Sequence, residues 1–139
     1  MGDSQKFKAA NLFPPKIFDA TLSSKARPSF LRGDYDAAVF QAFKEVEVRV
    51  RKLSRATPEE LGTTLMRDAF KPGKGPLSDP ARVPAESQAI SDLFAGAIGL
   101  FKNPGSHRDV DYEDPAEAAE LIILADLLIR IAERRKPRI

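Results

Sequence analysis

Val39, Phe43, Val46, Val50 and Leu53 recur at alternating steps of four and three residues, the spacing that gathers side chains on one stripe of a helix. The stripe predicts a helix over 34–54, with Asp34 as its N-cap behind Gly33. Tyr35, Ala38 and Ala42 widen the apolar stripe, whereas Glu45, Glu47, Arg49 and Arg51 lie off it. A second element starts at Thr57-Pro58-Glu59-Glu60, which reads as a cap, a first-turn proline and a capping box. Gly62 weakens its middle and moves the expected start toward Thr63, and Leu65, Met66, Ala69 and Phe70 form the buried face. Lys71-Pro72-Gly73-Lys74-Gly75-Pro76 then forces a loop that runs to about Val83.

A third helix is expected over 84–101, where Ile90, Leu93, Phe94, Ala97, Ile98 and Phe101 fit the helical template. Gly96 and Gly99 cost helix stability, about 1 kcal/mol each relative to alanine, so they imply close approach of another backbone. Asn103-Pro104 reads as a fresh cap and first-turn proline, so the helix should break at Lys102-Asn103. The last helix opens at Asp114-Pro115-Ala116-Glu117 and runs to about Glu133. It is apolar on nearly every face, from Leu121 through Ile131; such a helix is expected to face both a core and a second copy of the chain.

No strand pattern is present. The fold class predicted is all-α, a bundle of four main helices with short extra helices. Residues 1–32 hold Pro14-Pro15, Pro28 and scattered apolar positions. They read as an N-terminal arm, with a short amphipathic element around 17–22, attached to a helical domain over 33–135. The chain of 139 residues is long enough for a hydrophobic core. It lacks cysteine, which excludes disulfides and thiolate metal sites. Its start lacks the apolar stretch of a signal peptide and no apolar run is long enough to cross a bilayer, so a cytoplasmic location is expected.

Charge changes this picture only through its distribution. Lys and Arg number 22 against 20 acidic residues, a formal net charge of +2. The basic residues collect at Arg49, Arg51, Lys52 and Arg55, and again at Arg130, Arg134, Arg135, Lys136 and Arg138. Each cluster falls near a predicted helix end. There cations complement the helix dipole or attract phosphate.

The chemistry-bearing segment is Leu100-Phe101-Lys102-Asn103-Pro104-Gly105-Ser106-His107-Arg108, which contains the one histidine of the chain. An imidazole titrates near neutrality and can take or give a proton there. Lys102 and Arg108 can hold phosphate, Asn103 can donate a hydrogen bond or cap the turn, and the N–H groups of Gly105, Ser106 and His107 can face an anion. One histidine cannot act as acid and base in the same step, but a two-fold dimer would supply two. On residues alone, a surface histidine remains the competing reading. Asp109-Val110-Asp111 reads as an acidic lead-in to the last helix rather than a magnesium site, and Gly73-Lys74-Gly75 lacks P-loop spacing. No metal or cofactor is called for.

The run Leu93-Phe94-Ala95-Gly96-Ala97 through Phe101-Lys102-Asn103-Pro104-Gly105-Ser106-His107-Arg108 resembles the Ymh-type family of prokaryotic proteins, which looks like a branch of the HEPN superfamily. The likeness extends over roughly 30–133 and takes in Gly33-Asp34-Tyr35, Gly62 and the final apolar helix. It implies a helical bundle that dimerises and a metal-independent ribonuclease of toxin–antitoxin or antiviral defence systems. The superfamily motif is arginine, a polar residue, three variable residues and histidine. Lys102 stands at the arginine position, Asn103 at the polar position and His107 at the histidine position. Lysine keeps the charge but loses the planar fork that grips phosphate. The resemblance therefore implies His107, Lys102 and Asn103 as catalytic residues, while the charge of Arg108 and the N–H of Ser106 make those two the expected substrate contacts. RNA, an antitoxin or a larger defence complex are the partners implied. The alternative is a non-catalytic helical module that dimerises or binds nucleic acid or nucleotide.

Overall fold

The computed structural model describes residues 12–102 and 114–135. Among these residues the structure is all-helical: α1 (Ala20–Leu31), α2 (Tyr35–Ser54), α3 (Gly62–Ala69), α4 (Pro84–Phe101) and α5 (Pro115–Arg135). The expected helices over 34–54, 84–101 and 114–133 are present with bounds within two residues. Asp34 caps α2 by accepting the N–H of Ala37 at 3.3 Å, and Asp114 accepts that of Ala116 at 2.9 Å.

The helix that sequence periodicity passes over is α1. Its apolar face is only Leu22, Ala26 and Phe30, and Pro28 stands inside its last turns. A proline lacks the N–H for the helical ladder, so the segment reads as a breaker. Tertiary burial reverses that preference. Leu22, Ala26 and Phe30 are completely buried, and Phe30 meets Phe13 and Tyr35 edge-to-face at 5.2 and 5.1 Å between centroids. Residues 12–31 are thus part of the packed body, not an appended arm. Gly33, at φ 81°, closes α1 in the left-handed conformation that glycine adopts without strain.

At the centre of the bundle lies α2, packed against α1, α3, α4 and α5. That surround explains a second difference. Glu45 and Glu47 lie off the main apolar stripe, yet both are 3% exposed, because neighbours cover α2 on more than one side. Arg49, in the penultimate turn of α2, meets Glu133 in the last turn of α5 at 3.0 Å. The two helices pack against one another, and their C-terminal turns meet at this ion pair.

The second predicted element begins later than its capping box suggests. Thr57 to Glu60 form a turn, and the helix starts at Gly62, whose φ is 62°. Its partner is α4: Phe70 stacks on Phe94 with centroids 4.1 Å apart. The following loop folds back on α3. Leu77 is fully buried and its N–H donates to Ala69 O at 2.9 Å. Gly75 fits there because a Cβ would sit 2.4 Å from the Ala69 carbonyl oxygen. Gly96, by contrast, has nothing within 4 Å of the place a Cβ would occupy, and Gly99 has only Thr63 Cγ2 at 3.4 Å. The close approach expected at Gly96 is absent among the described residues.

On α5, Ala118, Ile122, Ala125, Leu128, Ile129 and Ala132 fill the core, while Ile123 and Leu127 remain 52% and 43% exposed. No helix of the described residues is long and apolar enough to cross a membrane.

Candidate functional site

Lys102 ends α4. Its backbone N–H donates to Ile98 O at 3.0 Å, which closes the last turn before the chain enters 103–113. Its side chain folds back rather than outward, and Nζ lies 3.2 Å from Glu47 Oε2. Asn103, Ser106, His107 and Arg108 lie outside the described residues, so Lys102 is the member of the predicted site whose geometry is defined.

Glu47 organises the surroundings of Lys102. Its Oε1 pairs with Arg51 Nη2 at 3.1 Å, one helical turn further along α2. Its Oε2 also accepts the N–H of Gly62 at 2.8 Å, the first residue of α3. Leu61, at the N-cap of that helix, supplies no side-chain cap, so a carboxylate from another helix does the capping. An anion suits this position because orphan N–H groups and the helix dipole both favour negative charge there. Arg51 extends the network: its Nε donates to Glu60 O at 3.0 Å. One buried carboxylate thus ties α2, the turn before α3, the start of α3 and the end of α4.

The electrostatic balance around Lys102 follows directly. Lys102 and Arg51 bring two positive charges to one carboxylate, so the node keeps a net positive charge. Burial makes the Glu47 carboxylate dependent on those partners, since an uncompensated buried charge is strongly disfavoured. Lys102, with 20% of its side chain exposed, keeps contact with solvent. It can meet an anion only while anchored to Glu47 or by leaving it.

The sequence pattern assigned no role to Glu47. The signal available was the spacing Glu47–Arg51 and Glu45–Arg49, each a Glu followed by Arg four residues on, which is the favourable order for a helical ion pair.

A second charged cluster belongs to the framework. Arg49 reaches Asp19 at 2.8 Å, Glu45 at 3.3 Å and Glu133 at 3.0 Å, and Lys25 reaches Glu45 at 2.7 Å. Burial acts to lower the Arg49 pKa. The hydrogen bond to Asp19 and the charges of Asp19, Glu45 and Glu133 outweigh that, leaving the pKa above its ordinary value. Asp126, buried on α5, accepts the N–H groups of Phe18 and Asp19 at 3.1 and 3.0 Å. Arg130 covers the Phe18 ring at 4.1 Å. These contacts seat the start of α1 on α5. The basic residues Arg49, Arg51 and Arg130 are therefore spent within the fold.

Comparison with known sequences gives one family. A sequence model described as "Protein of unknown function (Hypoth_ymh)" matches residues 16–131. That span includes α1, in keeping with its place in the packed body. No curated protein and no solved structure matches the chain.

Proposed function

We propose that this chain, which belongs to the Hypoth_ymh family, is a HEPN-like, metal-independent endoribonuclease of a defence or toxin–antitoxin system, acting in the cytoplasm. His107 serves as the general acid or base, Lys102 contacts the phosphate and Asn103 supplies a hydrogen bond. Ser106 and Arg108 contact the substrate. The observation that carries this reading is the position of Lys102. It closes α4 immediately before the segment with His107, and its ammonium is held at 3.2 Å by a buried carboxylate. A fixed cation five residues ahead of the chain's one histidine in sequence supplies half of the pairing, cation and proton-transfer group, that transesterification of RNA requires. Because each chain has one histidine, the reading includes a homodimer that supplies two. The exposed Ile123 and Leu127 on α5 give such a dimer an apolar surface.

A second reading is a non-catalytic module that dimerises or binds nucleic acid or a nucleotide. The observation favouring it is the same ion pair: Glu47 already answers the charge of Lys102 and uses it to join α2 to α4.

One experiment separates the two. Wild-type protein and His107→Ala are incubated with total RNA in chelator. The ribonuclease reading expects fragments with 2′,3′-cyclic phosphate ends from the wild type and none from the variant. Equal cleavage by His107→Ala would overturn the assignment of His107, and no cleavage by either protein favours the module.

A further inference from the structure

Along the outer side of α5, Ala116, Glu120, Ile123, Leu127, Arg130 and Arg134 recur at steps of four, three, four, three and four. That spacing confines them to about 80° of the helix circumference, and it is the spacing of a seam that packs against a second helix. All of them are exposed except Arg130, which is half-buried. Ile123 and Leu127, at the centre of the seam, are left uncovered among the described residues.

The seam is divided by charge. Its acid, Glu120, precedes the two apolar residues, and its cations, Arg130 and Arg134, follow them. The helix dipole does not account for the whole of that order. It acts over the first and last turns, where Glu117, Arg134 and Arg135 already stand, whereas Glu120 and Arg130 lie between those turns. Neither Glu120 nor Arg130 has an ion-pair partner among the described residues. Arg130 lies over the Phe18 ring at 4.1 Å. A stacked guanidinium uses its face and keeps its N–H edge open. Phe18 is itself 73% exposed, more than any other large apolar side chain described, so the stack also sets apolar surface beside the seam.

We propose that the outer face of α5 is the contact between two copies of this chain, paired antiparallel across a two-fold axis midway between Ile123 and Leu127. The midpoint is position 125, and Glu120 and Arg130 stand five residues to either side of it, about 7.5 Å along the helix. Ile123 of one copy then meets Leu127 of the other, Glu120 meets Arg130, and Ala116 leaves room for Arg134. Each contact occurs twice, as a two-fold interface requires. Parallel pairing would instead set Glu120 on Glu120 and Arg130 on Arg130. The apolar centre supplies affinity, and the two ion pairs fix direction and register. The exposed Leu93 and Leu100 make a second apolar face on α4, but that helix has no cation from Pro84 to Phe101 and cannot answer its own acids in this way. The ribonuclease reading asks for a homodimer and leaves its geometry open; the α5 pairing goes beyond it and stands without it, on the charge order of the helix.

Sedimentation velocity of the full chain across a micromolar concentration series tests the pairing. A contact made by one pair of helices is at the small end of interface sizes, so the wild type should pass from monomer to dimer within the series. Glu120→Arg and Arg130→Glu each put like charges into both ion pairs and should each weaken the dimer by about tenfold or more. Mixed one to one, the two variants should form a heterodimer tighter than either homodimer, because each carries the charges that the other lacks. Recovery in the mixture cannot come from protein that failed to fold. A mixture that associates no better than the separate variants would overturn the proposal, as would a wild type that stays monomeric throughout. So would a dimer lost in Leu93→Glu but kept in Glu120→Arg, which would move the contact to α4. Heterodimer recovery, with a wild type that cleaves no RNA in chelator, would support the α5 contact while the ribonuclease reading fails.

Discussion

The ammonium of Lys102 and the carboxylate of Glu47 are 3.2 Å apart, and the acidic partner is the more deeply buried of the two. The asymmetry decides what each residue does for the fold. Removing Glu47 strips the cap from Gly62 and leaves Arg51 and Lys102 facing one another. Removing Lys102 leaves Glu47 with Arg51 and the Gly62 N–H. Glu47→Ala should therefore lose about 3–5 kcal/mol of stability, and Lys102→Ala about 1 kcal/mol, since its side chain is partly solvated. Urea unfolding of both variants checks the order. Equal losses would show that Lys102 is as structural as Glu47.

Asp126 holds the entry to α1 by accepting two backbone N–H groups. Asp126→Ala leaves both without that acceptor and should cost about 2–4 kcal/mol. Asp126→Asn keeps one acceptor oxygen and should cost less. Limited proteolysis should show cleavage near Phe18 appearing in Asp126→Ala before global unfolding. Protection equal to wild type would remove Asp126 as the anchor.

Gly96 sits in the middle of α4 with open space where a Cβ would project. Gly96→Ala should raise stability by about 1 kcal/mol, the helix-propensity difference. Thermal unfolding of dilute protein measures it. A destabilised variant would mean that a neighbouring backbone does approach this face.

Asp92 on α4 pairs with Arg67 on α3. Hydrogen bonds from Arg67, and then from Gln88, hold its carboxyl below the ordinary value. A folded-state pKa below the unfolded one gives stability that is present above the unfolded pKa and lost as pH falls through the folded pKa. Asp92→Asn should therefore lower the urea midpoint slightly at neutral pH, and the difference should begin to shrink near about pH 4 and vanish once the pH falls below the lowered pKa of Asp92. The effect is small because the pair is exposed. A gap that widens in acid would contradict the sign.

The fold was legible where side-chain periodicity and end signals agreed. Val39, Phe43, Val46 and Val50 mark the buried face of α2; Asp34 caps that helix and Asp114 caps α5. The break after Phe101 is where the sequence expects it. For the candidate site, the sequence located Lys102 at that break, but nothing in the spacing linked it to Glu47. The four-residue offset to Arg51 was visible; the burial of both acids on α2 was not, because burial depends on how many neighbours surround a helix.

The sequence by itself determined the all-α class, the ends of most helices and the position of Lys102 ahead of the only histidine, because caps, turns and apolar stripes are local properties. Tertiary structure decided the rest. It made a helix of 20–31 despite Pro28, since burying Leu22, Ala26 and Phe30 offsets a lost ladder bond. It left Gly96 facing open space. It also turned a free-looking lysine into the partner of a buried carboxylate, since which charge meets which is set by packing between helices distant in the chain.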